Sequence, residues 1–149
     1  MPRRIAIVGM NNPLSPRPEH ALWPDPPNCT GWRLWQMTAA RTGATKTDYL
    51  RAFHRYNLVV GRNWHAGDAR ENWQQLWPHL EQNFDRVVLL GNAVRQTGGV
   101  PMEQFAMSPG LVCIPHPSGL NRWYNDQRNR ELVELAMEEL YWEATHDQP

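Results

Sequence analysis

Four short apolar runs, Ile5–Val8, Leu58–Val60, Val87–Leu90 and Leu111–Ile114, mark the chain at wide intervals. None alternates with polar residues, the pattern of strands covered on both faces. Gly9, Gly61, Gly91 and Pro115 follow them directly and predict a sharp exit from each strand. Between the runs, apolar residues recur at helical spacing. Trp32–Arg41 carries Leu34, Trp35, Met37 and Thr38, and Thr47 is suited to cap a short helix through Phe53. Asp68, with Glu71 three residues on, has capping-box character and predicts a helix bearing Trp73, Leu76, Trp77 and Leu80, with Pro78 as a kink or an early end. The clearest helical signal is Gln127–Ala144, where Val133, Ala136, Met137, Leu140, Tyr141 and Ala144 share one face. Strands alternating with helices predict one α/β domain over residues 1–149, a three-layer α/β/α arrangement around a central four-stranded, mostly parallel sheet. In such sheets ligands bind beyond the carboxyl ends of the strands. The loops there begin at Gly9, Gly61, Gly91 and Pro115.

Composition narrows the picture. With 41% apolar and 20% charged residues the chain is globular, and its 149 residues suffice for one hydrophobic core. The formal net charge of zero argues against a strongly electrostatic nucleic-acid binder, although the acids gather at Glu131–Glu143 and leave room for a separate basic face. Eight tryptophans and 13 prolines point to an aromatic-lined cleft as well as a core. No signal-peptide core or membrane span is visible, so a cytoplasmic protein without a membrane partner is expected. Cys29 and Cys113 supply no ligand set for zinc or an iron–sulfur cluster, and they are expected to stay reduced. Neither GxGxxG nor a phosphate-binding GxxxxGK[ST] loop occurs, so neither dinucleotide binding nor a P-loop is expected.

Two unusual loops hold the candidate chemistry. Gly9-Met10-Asn11-Asn12-Pro13-Leu14-Ser15 leaves the first strand without opening a helix. A side-chain carbonyl of Asn11 or Asn12 at that edge is placed to orient a water for attack on an electron-poor carbon, although both are also ordinary turn residues. Trp23 lies among prolines, suited either to stack a planar base or to plug the core. His20, beside Glu19, is either a ligand donor or a solvated loop histidine. In the second loop His116 is held between Pro115 and Pro117 at a strand end. A neutral imidazole there can donate to an oxygen that gains negative charge. Ser118, Gly119, Leu120, Asn121 and Arg122 follow. Leu120 has the context of a wedge for a base stack or of a residue packed on the last helix, and Arg122 suits a phosphate or a base edge.

These residues resemble the uracil-DNA glycosylase superfamily. His116-Pro117-Ser118-Gly119-Leu120 is similar to its second motif, which reads HPS or NPSGL among branches. Gly9-Met10-Asn11-Asn12-Pro13 is similar to the first motif, GxNPG, of the mismatch-specific and single-strand-selective branches. Trp23-Pro24 followed by Trp32-Arg33-Leu34-Trp35 resembles the mismatch-specific branch in its aromatic–proline segment and following helix. The resemblance implies a monomeric DNA-repair hydrolase that flips a uracil or modified pyrimidine out of DNA and cleaves its N-glycosidic bond without metal or cofactor. By similarity Asn11 positions the water, Trp23 stacks the base and His116 stabilises its departing oxygen. Gly9, Met10, His20 and Ser118 complete the substrate site. Gly119, Leu120, Asn121 and Arg122 meet the DNA. Two departures stand out: Asn12 replaces the motif's proline and Pro13 its glycine, so either asparagine is a candidate, and neither is the aspartate of the fastest branch. A non-cleaving base-binding module and a base-modifying enzyme on the same scaffold are the competing readings.

Overall fold

The computed structural model describes residues 1–149. Its strands are β1 (Ile5–Asn12), β2 (His54–Val60), β3 (Arg86–Leu90), β4 (Ala106–Met107) and β5 (Leu111–Ile114), and its helices α1 (Thr30–Thr42), α2 (Lys46–Ala52), α3 (Ala66–Asn83), α4 (Asn92–Thr97) and α5 (Gln127–Thr145). The sheet order is β2-β1-β3-β5-β4, with every neighbouring pair parallel except β4–β5. The chain is thus an α/β protein with a mostly parallel mixed sheet.

The sheet has five strands, not the expected four. β4 consists of two residues, paired as Ala106↔Cys113 and Met107↔Val112, and a segment that short carries no periodicity. Its antiparallel pairing covers the outer edge of β5, which the sequence leaves open.

Successive side chains of β1 and β3 point to opposite faces. Ile5, Ile7, Val88 and Leu90 join Leu34, Tyr49, Val133, Met137 and Leu140 in one buried cluster against α1, α2 and α5. Ala6, Val8, Val87 and Leu89 join Ala69, Trp73, Leu80 and Val94 in a second cluster against α3 and α4. Helices therefore cover both faces, compatible with three layers, and this is why the strands read as unbroken apolar runs.

Several helix ends differ from the pattern-based expectation. α3 begins at Ala66, and its cap is His65, whose Nδ1 accepts from the Asp68 amide at 3.2 Å; Asp68 lies inside the first turn. α3 also continues through Pro78 to Asn83. Pro78 is exposed, so the carbonyl it leaves unpaired can turn to water. α2 is capped by Thr45 rather than Thr47, in a reciprocal capping box with Asp48. The six-residue α4 had no expected counterpart; it follows Gly91, whose φ of 88° suits glycine alone. No helix is long and apolar enough to cross a membrane. Both cysteines are free.

Candidate functional site

β1 runs past its core residues, and Asn11 and Asn12 pair with Val59 and Val60 of β2 at the carboxyl edge. The two asparagines then do different work. Asn12 is occupied in the loop: its Oδ1 accepts from the Leu14 amide at 3.1 Å and its Nδ2 donates to the His20 carbonyl at 3.4 Å. Asn11 donates from Nδ2 to the Arg62 carbonyl at 3.2 Å, and no protein donor uses its Oδ1. Of this pair, Asn11 therefore keeps a side-chain carbonyl for a water and Asn12 does not. Beneath them Gly9 is buried, and a Cβ there would lie 2.7 Å from Asn57 Oδ1 and 2.9 Å from Leu22 Cδ2.

Trp23 is neither core plug nor free surface residue. Its side chain is 40% exposed while its backbone is fastened from several directions. The preceding Leu22 is buried with φ at 52°, a left-handed conformation that a leucine adopts only when its surroundings impose it. Tyr49 OH donates to the Leu22 carbonyl at 2.9 Å, and Arg55 Nη1 to the Ala21 carbonyl at 2.6 Å. The Arg55 guanidinium also sits 5.6 Å from the Trp23 ring centroid. Cys29, which caps α1 through Sγ, donates to the Trp23 carbonyl. His20 completes this wall: its Nδ1 lies 2.8 Å from Ser15 Oγ, and its ring is tilted against Trp23 at 5.5 Å.

Opposite stands His116, just past β5 and between the buried Pro115 and Pro117. Its carbonyl accepts from the Ser118 amide at 2.8 Å and from Asn121 Nδ2 at 3.1 Å. Gly91 lets it approach β3, since a Cβ on Gly91 would lie 2.9 Å from His116 Cβ. The imidazole has no protein hydrogen-bond partner, and burial holds its pKa below the ordinary 6.5, keeping it neutral at pH 7. Between the lowered and the ordinary value the unfolded chain binds a proton that the folded chain refuses. The His116 contribution is therefore complete above about pH 6.5 and is lost as pH falls toward the folded-state value. We expect the stability difference between wild type and His116→Asn to shrink between about pH 7.5 and about pH 5.5 in urea titrations. His54, also lowered by burial, is common to both proteins and cancels. A difference independent of pH would contradict the assignment.

These walls enclose an open cleft of about 510 Å³. It brings together Met10, Asn11, Asn12, His20, Trp23, His116 and Ser118 from segments far apart in the chain. Gly9 lies under its floor, and Gly119, Leu120, Asn121 and Arg122 lie outside its lining. Leu120 is 94% exposed and packs on no helix. Asn121 is a brace within the loop: its Nδ2 holds the His116 carbonyl and its Oδ1 caps the following 3₁₀ turn through the Trp123 amide. Arg122 opens that turn, exposed. The cleft also takes in Ser15 of the first loop, Cys29, and Asn57, Asn28 and Thr30, which belong to no motif in the sequence. Asn57 was hidden because the apolar run marked β2 only from Leu58, whereas the strand starts at His54. Asn28, at φ 74°, and Cys29 precede a helix, the one local signal they carry.

No protein-family model matches the chain, and no curated protein matches it.

Proposed function

We propose that the protein is a DNA glycosylase that flips a uracil or modified pyrimidine into this cleft and hydrolyses its N-glycosidic bond. One observation carries the proposal: a single cleft joins the unused carbonyl of Asn11, the half-exposed ring of Trp23 and the neutral imidazole of His116. The likeness of Gly9–Pro13 and His116–Leu120 to the two glycosylase motifs supports the same reading. In this reaction a water held by Asn11 Oδ1 attacks C1′ of the sugar as the bond to the base nitrogen breaks, and the bonding pair leaves with the base. His116 donates a hydrogen bond to the base oxygen on which that charge collects. Trp23 holds the ring plane. The water's proton passes to solvent through the open cleft.

The test is cleavage of labelled oligonucleotides carrying uracil, hydroxymethyluracil, hypoxanthine or ethenocytosine, single-stranded and mispaired, followed by alkali to break abasic sites. Strand scission that disappears in Asn11→Ala and His116→Ala supports the proposal. Intact DNA throughout, with binding retained, favours the second reading, a base-recognition module without turnover. That reading draws on the amide at position 11, a weaker base than a carboxylate, and on the engagement of Asn12 within its own loop.

The exposure of Leu120 gives a separate expectation. Leu120→Ala should leave stability within about 0.5 kcal/mol, as surface substitutions do, yet lower activity on duplex more than on single-stranded DNA. Equal losses on both substrates would remove its role as a wedge.

A further inference from the structure

A second groove, of about 460 Å³, adjoins the cleft, and Ser118 lines both. Ala40 of α1 and the buried Pro117 give it an apolar surface, and Trp35 and Tyr124 add aromatic rings. Arg33 stands at the junction of the two spaces. Its Nε donates to the carbonyl of Asn28, a residue of the first cleft, at 3.2 Å. Its Nη2 is so close to Gly119 that a Cβ there would lie 2.7 Å away. Arg33 forms no ion pair with any carboxylate. Arg130 also lines the groove but is occupied, donating from Nη1 to the Tyr124 carbonyl at 2.8 Å, and Glu134 is the groove's single carboxylate.

We propose that this groove is a subsite for the nucleotide next to the flipped one on the same DNA strand, with Arg33 on the phosphodiester between them. The inference rests on the first cleft receiving a base. Successive bases of a strand are separated by one anionic phosphate, and the protein presents the same sequence of chemistry. An aromatic-walled cleft is followed by an uncompensated guanidinium fixed through Nε with its terminal nitrogens left to donate, and then by an apolar–aromatic groove. Two adjacent nucleotides splayed into separate pockets are unstacked, so the preferred substrate is single-stranded DNA or a locally melted site.

The test measures binding alone, using deoxyuridine monophosphate with a 2′-fluorine that blocks cleavage. It is compared with the two dinucleotides that extend it by thymidine on the 5′ or the 3′ side. One dinucleotide is expected to bind roughly tenfold tighter than the mononucleotide, the scale of one stacked base. That gain should vanish in Arg33→Gln, and the slope of log Kd against log salt should fall by about 0.7, one phosphate contact on a single strand. Ala40→Glu, at an exposed position of α1, should abolish the gain independently and without perturbing the fold. The proposal is overturned if neither dinucleotide gains over the mononucleotide, or if the gain survives both substitutions. A protein that shows the gain but cleaves no oligonucleotide keeps the groove and loses the glycosylase reading. Cleavage with no gain does the reverse.

Discussion

Asn11→Ala should lower kcat by about 10²–10³, within the range that a positioned base or water contributes, and leave DNA affinity unchanged. The expectation follows from the partition of the two asparagines. Asn11 holds the Arg62 carbonyl with its amide nitrogen and presents a carbonyl that no protein donor uses. Asn12 has both ends of its side chain engaged, by Leu14 and His20. Asn12→Ala should therefore act through the loop, raising KM and lowering Tm, with a smaller effect on kcat. Asn11→Asp, a stronger base in the same shape, should exceed the wild-type rate. His116→Ala should cost a similar factor to Asn11→Ala, about 10²–10³ for one donor to a developing oxyanion. In the proposed reaction both groups serve one transition state, so the double variant should fall short of the product of the two losses. Single-turnover excision measures all of these. A larger kcat loss in Asn12→Ala than in Asn11→Ala would reverse the assignment.

Gly31→Ala should be among the most damaging single-methyl additions in the molecule, although alanine is the better helix former. Gly31 lies in the first turn of α1, and a Cβ there would collide with the backbone carbonyls of Leu22 and Trp23. Those atoms belong to the left-handed turn that Tyr49 and Arg55 already hold, so no flexible side chain can yield. Overpacking of this kind costs about 3 kcal/mol. For a domain of this size that lowers Tm by roughly 6–12 °C. The helix and the Trp23 segment must move apart, so base affinity should fall along with Tm. Retention of wild-type Tm and affinity would show that α1 does not seat Trp23.

Much of the scaffold is legible in the order of residues. The unbroken runs Ile5–Val8 and Val87–Leu90 announce strands buried on both faces, and the spacing of Val133, Ala136, Met137 and Leu140 announces α5, because burial of one face requires that period. Gly61 and Gly91 mark where β2 and β3 leave the sheet, whereas β1 continues through Gly9 to Asn12 because β2 still offers it pairing partners there. Both loops of the cleft stand out as sequence, as a proline-bracketed histidine and a proline-rich segment around a tryptophan, but their residues also have ordinary structural readings.

What the tertiary structure decided is which of these residues meet. β4 exists because β5 offers it an edge, not because Ala106 and Met107 prefer to be a strand. The cap of α3 falls to His65 because its imidazole reaches the Asp68 amide, although Asp68 reads locally as the better cap. Asn57 enters the floor of the cleft only through the parallel register that sets it beside Gly9 across β1 and β2. The separation of Asn11 from Asn12, the release of Leu120 to solvent and the place of Arg33 between two grooves are likewise consequences of contacts between distant segments. Periodicity records whether a side chain is buried, because burial acts on each residue within its own element. It does not record which neighbour a polar atom finds, because hydrogen bonds depend on distance and angle between elements that only packing brings together.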